Sequence, residues 1–339
     1  MKNVIISDST LRDGSHAVAH RLTKKQLAAY AKAADSAGIP ILEVGHGNGL
    51  GASSLLVGLG LLSDREMIGT VRENLSKSRL GIHVIPGFAT IKRDLEMAFS
   101  AGVDVVRIAS HCTEADTTER HISYSREQGK EVFGVLMMSH MASKEVLLDE
   151  ARKMEAYGAE GIIIMDSAGA YLPDDIRERA TYLSTNLKVP LGFHAHNNLG
   201  MAIANSILAV ECGAKMLDAT ARGFGAGAGN AQLEVLVAVL DKMGYATGID
   251  LYRALDAAEV VEQQIMEVMP GIRSESIVSG LAGVFSGFSK HVTRAAQQYG
   301  VDPRDIFFEL GKRKVIAGQE DVIVEVAQEL CENLRRKKA

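Results

Sequence analysis

The sequence predicts an α/β fold, namely a TIM (β/α)8 barrel followed by a helical C-terminal appendage. Eight short apolar runs alternate with amphipathic helical segments over about 240 residues, which is the pattern of such a barrel. The runs are rich in β-branched residues and show no strict polar alternation, as expected of parallel strands buried on both faces. A doubly wound open sheet is the competing architecture, but no GxGxxG motif follows the first run.

Local signals mark the individual elements. Thr23 and Gln26 have the spacing of a capping box, and Gly38 ends the same helix. Pro173 begins a later helix, at a position where its missing N–H would have no partner in any case. The eight predicted strands are residues 4–8, 40–44, 81–86, 103–110, 131–138, 161–167, 189–196 and 215–221.

The alternation of predicted strands and helices ends near residue 250. Only helical patterns follow, and they are interrupted at Pro270 and Gly271. We therefore predict two domains, a barrel of residues 1–264 and a helical domain of residues 265–339. The second domain either adds packing around the barrel or serves as a lid or docking surface for a partner. The sequence pattern supports both interpretations equally.

Composition excludes several classes of function. The 339 residues are 47% hydrophobic and 23% charged, and the formal net charge is −5, so no basic surface for nucleic acid is indicated. Cys112, Cys212 and Cys331 are few and widely spaced, which favours a reducing compartment over a disulfide framework. No signal peptide and no apolar stretch of about 18 residues is recognisable. We expect a cytoplasmic protein without nucleic-acid or membrane partners.

Polar side chains follow most of the predicted strands. In (β/α)8 barrels the chemistry lies at the C-terminal ends of the strands, where the βα loops begin. Six of the ten histidines stand at these positions or directly after them. The polar residues at these ends are Asp8, Arg12, Asp13, His16, Glu43, His46, Arg107, Ser110, His111, Ser139, His140, Asp166, Ser167, His194, His196, Asp218 and Arg222.

The segment HAH at the end of the seventh strand is the strongest indication of a metal site. Side chains alternate along a strand, so His194 and His196 point to the same side. Asp13, just after the first strand, is the carboxylate that we assign to the same site. Two imidazoles and one carboxylate suit Mn²⁺, Zn²⁺, Co²⁺ or Fe²⁺, and the same set also occurs in non-haem Fe(II) oxygenases.

A glycine-rich stretch, GFGAGAGN at residues 223–230, follows the last strand. Loops in this position often bind phosphate in barrels, but the GK[ST] sequence of a P-loop is missing. We expect this stretch to bring the backbone close to the metal site or to form a tight turn into the next helix.

Six segments identify a family. Together they resemble the 4-hydroxy-2-oxovalerate aldolases, class II pyruvate aldolases of the LRDG- or DRE-type TIM-barrel metallolyase group. The resemblance extends from about residue 4 to about residue 330, and the motifs are in register with the predicted strands. The segments are TLRDGSH (10–16), HCTEAD (111–116), LMMSHM (136–141), HAHNNL (194–199), GAGAGNAQLEV (225–235) and AGQEDVIVEVA (317–327).

The resemblance implies metal-dependent retro-aldol cleavage of 4-hydroxy-2-oxopentanoate to pyruvate and acetaldehyde, in the degradation of aromatic compounds by meta-cleavage. It implies that Asp13, His194 and His196 hold a divalent metal, usually Mn²⁺, with Co²⁺ or Mg²⁺ as alternatives. It further implies that Arg12 stabilises the enolate and that His16 is the general base.

The resemblance also implies the substrate contacts and the partner. The substrate would be bound by Arg12, Asp13, Ser167, His194 and Phe285. The C-terminal helices would dock an acylating acetaldehyde dehydrogenase in a hetero-oligomer, as in a heterotetramer, and acetaldehyde would pass between the two enzymes through a channel.

One position departs from the family pattern. Members carry a tyrosine in an AGVY segment, whereas this chain reads AGVFSGF with Phe285. The phenyl ring keeps the shape and lacks the hydroxyl, so we expect retained aldolase chemistry with altered stereochemical control or a shifted aldehyde preference. Residues 83–88, HVIPGF, are expected to shape the same aldehyde pocket.

Three alternatives remain at this stage. The first is a related barrel enzyme that condenses an acyl-CoA with a 2-keto acid. The second is a docking and regulatory subunit, although Arg12, Asp13, His16, His194 and His196 are all present. The third is the Fe(II) oxygenase, which would depend on O₂.

Overall fold

The computed structural model describes residues 2–338, and within them eight parallel strands close into a barrel. Each strand pairs with the next in sequence, and the last pairs with the first, where Ser7 lies opposite Asp218. All eight strands lie where the sequence predicted them, and the TIM barrel is confirmed. The strands are β1 (Ile5–Leu11), β2 (Ile41–Val44), β3 (Arg79–Val84), β4 (Val105–His111), β5 (Glu131–Met137), β6 (Gly161–Asp166), β7 (Leu191–Ala195) and β8 (Met216–Ala219).

Helices surround the barrel and begin and end at the predicted signals. Thr23 and Gln26 form the capping box of α1, and Gly38 ends that helix with a φ of 78°. Pro173 is the first residue of α6. The helices of this part are α1 (Lys24–Ala37), α2 (Asp64–Arg72), α3 (Glu96–Ser100), α4 (Glu119–Glu127), α5 (Lys144–Ala156), α6 (Pro173–Asn186), α7 (Ala202–Glu211), α8 (Leu233–Lys242) and α9 (Leu251–Gln264).

The barrel interior is divided along its axis. Its lower part is apolar, with Ile41, Val105, Phe133 and Met216 packed together from different strands. The register places charged side chains one layer above them, towards the C-terminal strand ends, as with Arg107 opposite His83. The polar layer therefore lies on a layer of packed apolar side chains. It faces the mouth of the barrel, which is the end at which the strands finish.

Residues 251–338 contain helices and no strand, as predicted. After α9, four helices pack around a second hydrophobic cluster that includes Val284, Phe288 and Phe307. The division of the chain at residue 264 remains a prediction. None of the helices within residues 2–338 is long and apolar enough to cross a membrane. The four helices are α10 (Ser274–Ala282), α11 (Ser289–Tyr299), α12 (Pro303–Lys312) and α13 (Glu320–Lys338).

The C-terminal helices contact the mouth of the barrel. The Ser286 N–H donates to the Ser167 carbonyl over 2.9 Å, and the Asn198 amide donates to the Ser286 hydroxyl over 2.9 Å. The Lys290 ammonium donates to the Ala17 carbonyl over 2.7 Å, in the loop after β1. These bonds attach the helical part to the loops that carry the polar strand-end residues.

Candidate active site

Asp13, His194 and His196 come together at the mouth of the barrel. Their candidate ligand atoms all lie within 4.8 Å of one another, and all three residues are buried. The Nε2 atoms of His194 and His196 are 3.4 Å apart, and Asp13 Oδ2 lies 4.0 Å from His196 Nε2. Two imidazole nitrogens bound about 2.1 Å from one ion lie about 3.0–3.4 Å apart at tetrahedral to octahedral angles. The spacing therefore fits a shared ion.

The surroundings of His194 leave the correct nitrogen free for a metal. Its Nδ1 lies 2.9 Å from Asp218 Oδ2. Burial alone would raise the pKa of Asp218, but the Arg107 guanidinium and His194 lower it to about 2. The ionised carboxylate accepts the Nδ1–H, which leaves a lone pair on Nε2, and an oriented histidine of this kind is typical of metal sites.

The glycine-rich loop at residues 223–230 orients the third candidate ligand. The Asn230 amide donates to Asp13 Oδ1 over 2.9 Å, so that Oδ2 faces the histidines. A Cβ at Gly225 would lie 2.7 Å from Asp13 Oδ1, too close for any side chain. The backbone of this loop therefore lies close to Asp13, and the role of Asp13 as a metal ligand stays a prediction. The donor set and its supports fit a divalent cation, although they do not select one metal.

A cavity of about 60 Å³ adjoins this cluster. Arg12 lines it, with its Nε donating to Glu43 Oε2 over 2.9 Å and its Nη1 donating to Asp13 Oδ2 over 2.8 Å. Its Nη2 is buried and has no partner in the part of the chain that the structure describes. An unpaired guanidinium N–H at a cavity wall is a donor available to an oxygen of a bound molecule.

His16 lines the same cavity, in the short 3₁₀ turn Asp13–His16. Its ring packs so closely on Gly47 that any Cβ there would overlap it. Burial lowers the pKa of His16 to about 3, although the Asp13 carboxylate opposes the shift. The imidazole is therefore neutral at physiological pH, and it can accept a proton from a group in the cavity.

The other predicted substrate contacts occupy different positions. Phe285 lines the cavity from the C-terminal helical part, opposite Ile85 and Phe88 of the segment after β3. Ser167 is fully buried instead, and its Oγ accepts the Met138 N–H over 2.9 Å. The structure thus brings Arg12, Asp13, His16, His196 and Phe285 around one cavity, with His194 beside them, whereas Ser167 is not among the lining residues.

Several polar strand-end residues have structural roles. The Tyr30 hydroxyl donates to Asp8 Oδ2 over 2.5 Å in the buried wall of the barrel. The Asp166 carboxylate accepts the N–H groups of Ala170 and Tyr171 and so shapes the loop after β6. His140 donates to a carbonyl of the C-terminal part. A polar residue at a strand end is therefore a candidate for a functional role, but some of these residues have structural roles only.

Four residues that support the site had no role assigned from sequence. Glu43, Arg107 and Asp218 form a buried network of ion pairs inside the barrel, and Asn230 holds Asp13. The available signal was a charged residue within an otherwise apolar strand, as in ILEV and VVRIAS. Such residues are almost never fully buried unless they are paired.

The buried histidines make the stability of the metal-free protein depend on pH. Burial lowers the pKa of His46 and of His196 to about 4, and that of His16 to about 3, from 6.5. Between pH 6.5 and 4 the unfolded chain therefore binds protons that the folded chain does not, and the free energy of unfolding falls as the pH falls. Burial raises the pKa of Asp8 and of Asp166 to about 6, which opposes this fall below pH 6.

We expect the urea midpoint of the metal-free protein to decrease between pH 7 and pH 5, because eight histidines have a lowered pKa and only four carboxyls a raised one. Each histidine contributes at most about 1.4 kcal/mol per pH unit. The variant His46→Asn should show a shallower dependence, since one titrating imidazole is gone. Equal midpoints for the unsubstituted chain at pH 7 and pH 5 would contradict this interpretation.

The fold and this cluster define a class of protein, the (β/α)8 barrels with a candidate divalent-metal centre of one carboxylate and two imidazoles at the strand ends. Comparisons with known proteins specify the family. The HMGL-like family matches residues 3–261, and the DmpG-like communication domain matches residues 270–332.

Full-length relatives agree with these matches. The chain is 62% identical to the 4-hydroxy-2-oxovalerate aldolase of Pectobacterium atrosepticum, over 97% of this chain and 96% of that protein. It is 64% identical to the enzyme of the same name from Spirochaeta aurantia, over 96% of both chains. This chain belongs to the 4-hydroxy-2-oxovalerate aldolase family, within the HMGL-like barrels, and the resemblance inferred from its motifs is confirmed.

A solved structure supports the fold alone. The carboxyl transferase domain of Rhizobium etli pyruvate carboxylase, with pyruvate and biocytin, matches with a TM-score of 0.83 at 17% identity. The match covers 98% of this chain and 61% of that one.

Proposed function

We propose that this chain catalyses the metal-dependent retro-aldol cleavage of 4-hydroxy-2-oxopentanoate to pyruvate and acetaldehyde. The observation that carries the proposal is the cluster of Asp13, His194 and His196 beside a cavity that Arg12 and His16 also line. The names of the relatives support the same reaction. A place in the meta-cleavage degradation of aromatic compounds and a cytoplasmic location are part of the proposal.

A divalent metal held by Asp13, His194 and His196 would act as a Lewis acid towards the 2-oxo acid. We assign Mn²⁺ to the site, with Co²⁺ or Mg²⁺ as alternatives. One carboxylate with two imidazoles is a mixed donor set that suits Mn²⁺ and Co²⁺, whereas Mg²⁺ prefers oxygen ligands. The carboxylate of Asp13 is ionised in any such state, because the Arg12 guanidinium holds its pKa well below the usual range against the effect of burial.

Arg12 stabilises the charge that develops on the substrate. Cleavage of the C3–C4 bond leaves its electron pair on the pyruvate half, so that negative charge develops on the C2 oxygen. The free Nη2–H of Arg12 is the donor for that oxygen, while Glu43 and Asp13 fix the rest of the guanidinium. A preorganised donor of this kind is worth about 10²–10³ in rate.

His16 moves the proton. The C4 hydroxyl must lose its hydrogen as the C3–C4 bond breaks and the C4–O bond becomes the carbonyl of acetaldehyde. The neutral imidazole of His16 accepts that hydrogen, and its return to C3 of the enolate completes pyruvate. General base catalysis by a positioned histidine contributes about 10²–10⁴-fold.

Ser167 and His194 are proposed as further contacts of the substrate. The Ser167 Oγ accepts the Met138 N–H, so its own hydrogen remains available for donation to the substrate carboxylate. His194 would contact the substrate through the metal that its Nε2 would hold, since its Nδ1 is bonded to Asp218. The apolar wall of the cavity, which includes Met137, Met165 and Phe285, suits the methyl group of the aldehyde half.

Phe285 is expected to relax the stereochemical control of the reaction, because no hydroxyl fixes the C4 substituent at this wall. We expect the chain to cleave both C4 enantiomers of the substrate. Phe285→Tyr should increase the ratio of their kcat/KM values by about 5–10-fold, the equivalent of one hydrogen bond of about 1 kcal/mol. A chiral pyruvate-release assay measures the ratio.

Phe99→Tyr is the matched control, since it makes the same change on α3, where Phe99 stacks on Tyr124 outside the cavity. It should leave the ratio unchanged. Strict discrimination by the unsubstituted chain would show that Phe285 does not relax the selectivity.

The helical domain, residues 265–339, is proposed to dock an acylating acetaldehyde dehydrogenase and to cover the mouth of the barrel. The match to a communication domain over residues 270–332 supports the association, and the contacts of Ser286 and Lys290 support the cover. We propose a hetero-oligomer, as in a heterotetramer. Sedimentation of the chain with and without such a dehydrogenase tests the association.

A longer aldehyde is the second candidate for the substrate. A cavity of about 310 Å³ adjoins the first, and the two share Ile85, Phe88, Met137, Ala317 and Gly318 as lining residues. This space would admit a larger C4 substituent than methyl. Metal analysis and pyruvate release from a panel of 4-hydroxy-2-oxo acids test both candidates, and CoA release from acetyl-CoA with pyruvate tests the condensing alternative.

A further inference from the structure

Arg107 lies in the middle of β4 and is completely buried inside the barrel. Its Nη1 donates to Glu43 Oε1, and its Nη2 donates to Asp218 Oδ2. These partners come from β2 and β8, so the guanidinium bridges the barrel interior. It lies below the cavity and is not one of the residues that line it.

Each of the two carboxylates also holds a residue of the proposed active site. The second oxygen of Glu43 accepts the Arg12 Nε–H over 2.9 Å. The same oxygen of Asp218 that meets Arg107 also accepts the Nδ1–H of His194, over 2.9 Å. A continuous chain of hydrogen bonds therefore runs from Arg12 through Glu43, Arg107 and Asp218 to His194.

Stability alone is a poor explanation for this network. Burying charged groups carries a large desolvation penalty, and an apolar replacement of similar volume is often as stable. Two buried atoms of the network, Arg107 Nε and Asp218 Oδ1, have no partner within the described residues. An arrangement that leaves buried polar atoms unpaired points to a requirement of the site above it.

The charges of the network point in the same direction. Asp13, Glu43 and Asp218 supply three carboxylates, and Arg12 and Arg107 supply two guanidinium groups. The group therefore carries one net negative charge. A divalent cation together with a monoanionic 2-oxo acid brings it to neutrality, whereas without Arg107 the same ligands would leave an uncompensated buried charge.

We propose that Arg107 is a positioning residue that orients both Arg12 and His194, through Glu43 and Asp218, and so couples the substrate-binding half of the site to its metal-binding half. The proposal rests on the metal site of the proposed function. It predicts that a change at Arg107 alters metal affinity and turnover together, although Arg107 touches neither metal nor substrate.

The test compares Arg107→Lys and Arg107→Met with the unsubstituted chain. Lysine keeps the charge but cannot hold two carboxylates in the fixed geometry of a guanidinium. We expect both variants to bind Mn²⁺ about 10–100-fold more weakly by titration calorimetry, as is usual when an outer-shell partner is lost. We also expect kcat for pyruvate release to fall by at least about 10-fold, since the Arg12 guanidinium and its donor Nη2–H lose their orientation.

Arg79→Met is the matched control. Arg79 is the first residue of β3, and like Arg107 it pairs with a carboxylate, that of Glu131. This pair lies at the opposite end of the barrel from the site. This variant should bind Mn²⁺ and release pyruvate within about 2-fold of the unsubstituted chain, a difference within ordinary context effects.

A spectroscopic readout separates positioning from general damage. The visible absorption of the Co²⁺-loaded protein reports the arrangement of the ligands, and we expect its band to shift in Arg107→Lys. A purely structural role would lower the urea midpoint and leave the Co²⁺ band and the Mn²⁺ affinity of the folded protein unchanged. That result would overturn the inference. If Arg107→Met does not fold, the results for Arg107→Lys alone test the positioning role of Arg107.

The proposed function and the role of Arg107 are contradicted by different results. If the unsubstituted chain binds no divalent metal, the proposed function itself is wrong. If it binds Mn²⁺ and cleaves the substrate, and Arg107→Lys does both equally well, only the role of Arg107 is wrong.

Discussion

We expect His194→Ala to abolish metal binding and to reduce pyruvate release by about 10³-fold or more. One imidazole and one carboxylate remain in this variant, and the third ligand of the cluster is gone. A Lewis acid contributes several kcal/mol of transition-state stabilisation to such a reaction, and about 4 kcal/mol corresponds to 10³ in rate. Asp13→Ala is expected to have the same effect, since it removes the carboxylate of the same cluster.

The measurement is the metal content of the dialysed protein, taken together with a pyruvate-release assay in the presence of excess Mn²⁺. His121→Ala is a suitable control, because His121 belongs to α4 and bonds to the Ala89 carbonyl away from the cluster. If His194→Ala retained one equivalent of tightly bound metal, the assignment of the three ligands would be incorrect.

We expect His16→Ala to retain the metal and to lose catalysis by about 10²–10⁴-fold, the contribution of a general base. The methyl group neither accepts the C4 hydroxyl proton nor returns it, whereas the cluster of Asp13, His194 and His196 is left intact. Metal content and kcat measured on the same preparation separate this outcome from that of His194→Ala.

The chemistry of the lost step can also be tested directly. Exchange of the C3 protons of pyruvate with solvent uses the same proton transfer between C3 and His16, so this exchange should fall in His16→Ala together with cleavage. A His16→Ala protein that cleaves the substrate at the normal rate would exclude His16 as the base.

The fold could be predicted from the sequence because each strand and helix carries its own local signals. The apolar runs located all eight strands, and the capping residues located α1 and α6. The proposed metal ligands could be grouped as well, because all strands of a parallel barrel end at the same mouth. His194 and His196 needed only the alternation of side chains along β7, and Asp13 only its place after β1.

The inner support of the site could not be predicted in this way. Arg107 is separated from Glu43 by 64 positions and from Asp218 by 111, and the pairing depends on the register of strands around the barrel. No local signal in the sequence specifies that register. Ser167 illustrates the same limit, since its position after β6 was predicted but its bond to the Met138 N–H was not.

The position of Phe285, Ala317 and Gly318 in the cavity wall has a consequence for how enzymes of this family can diverge. In the proposed reaction the barrel supplies the reactive groups, whereas part of the surface that would meet the aldehyde half belongs to the later helical segment. A recombinant chimera that takes its C-terminal helices from a relative would therefore inherit part of that relative's choice of aldehyde along with its choice of protein partner. Selection on the choice of aldehyde would then also change the choice of protein partner, and selection on the partner would change the choice of aldehyde.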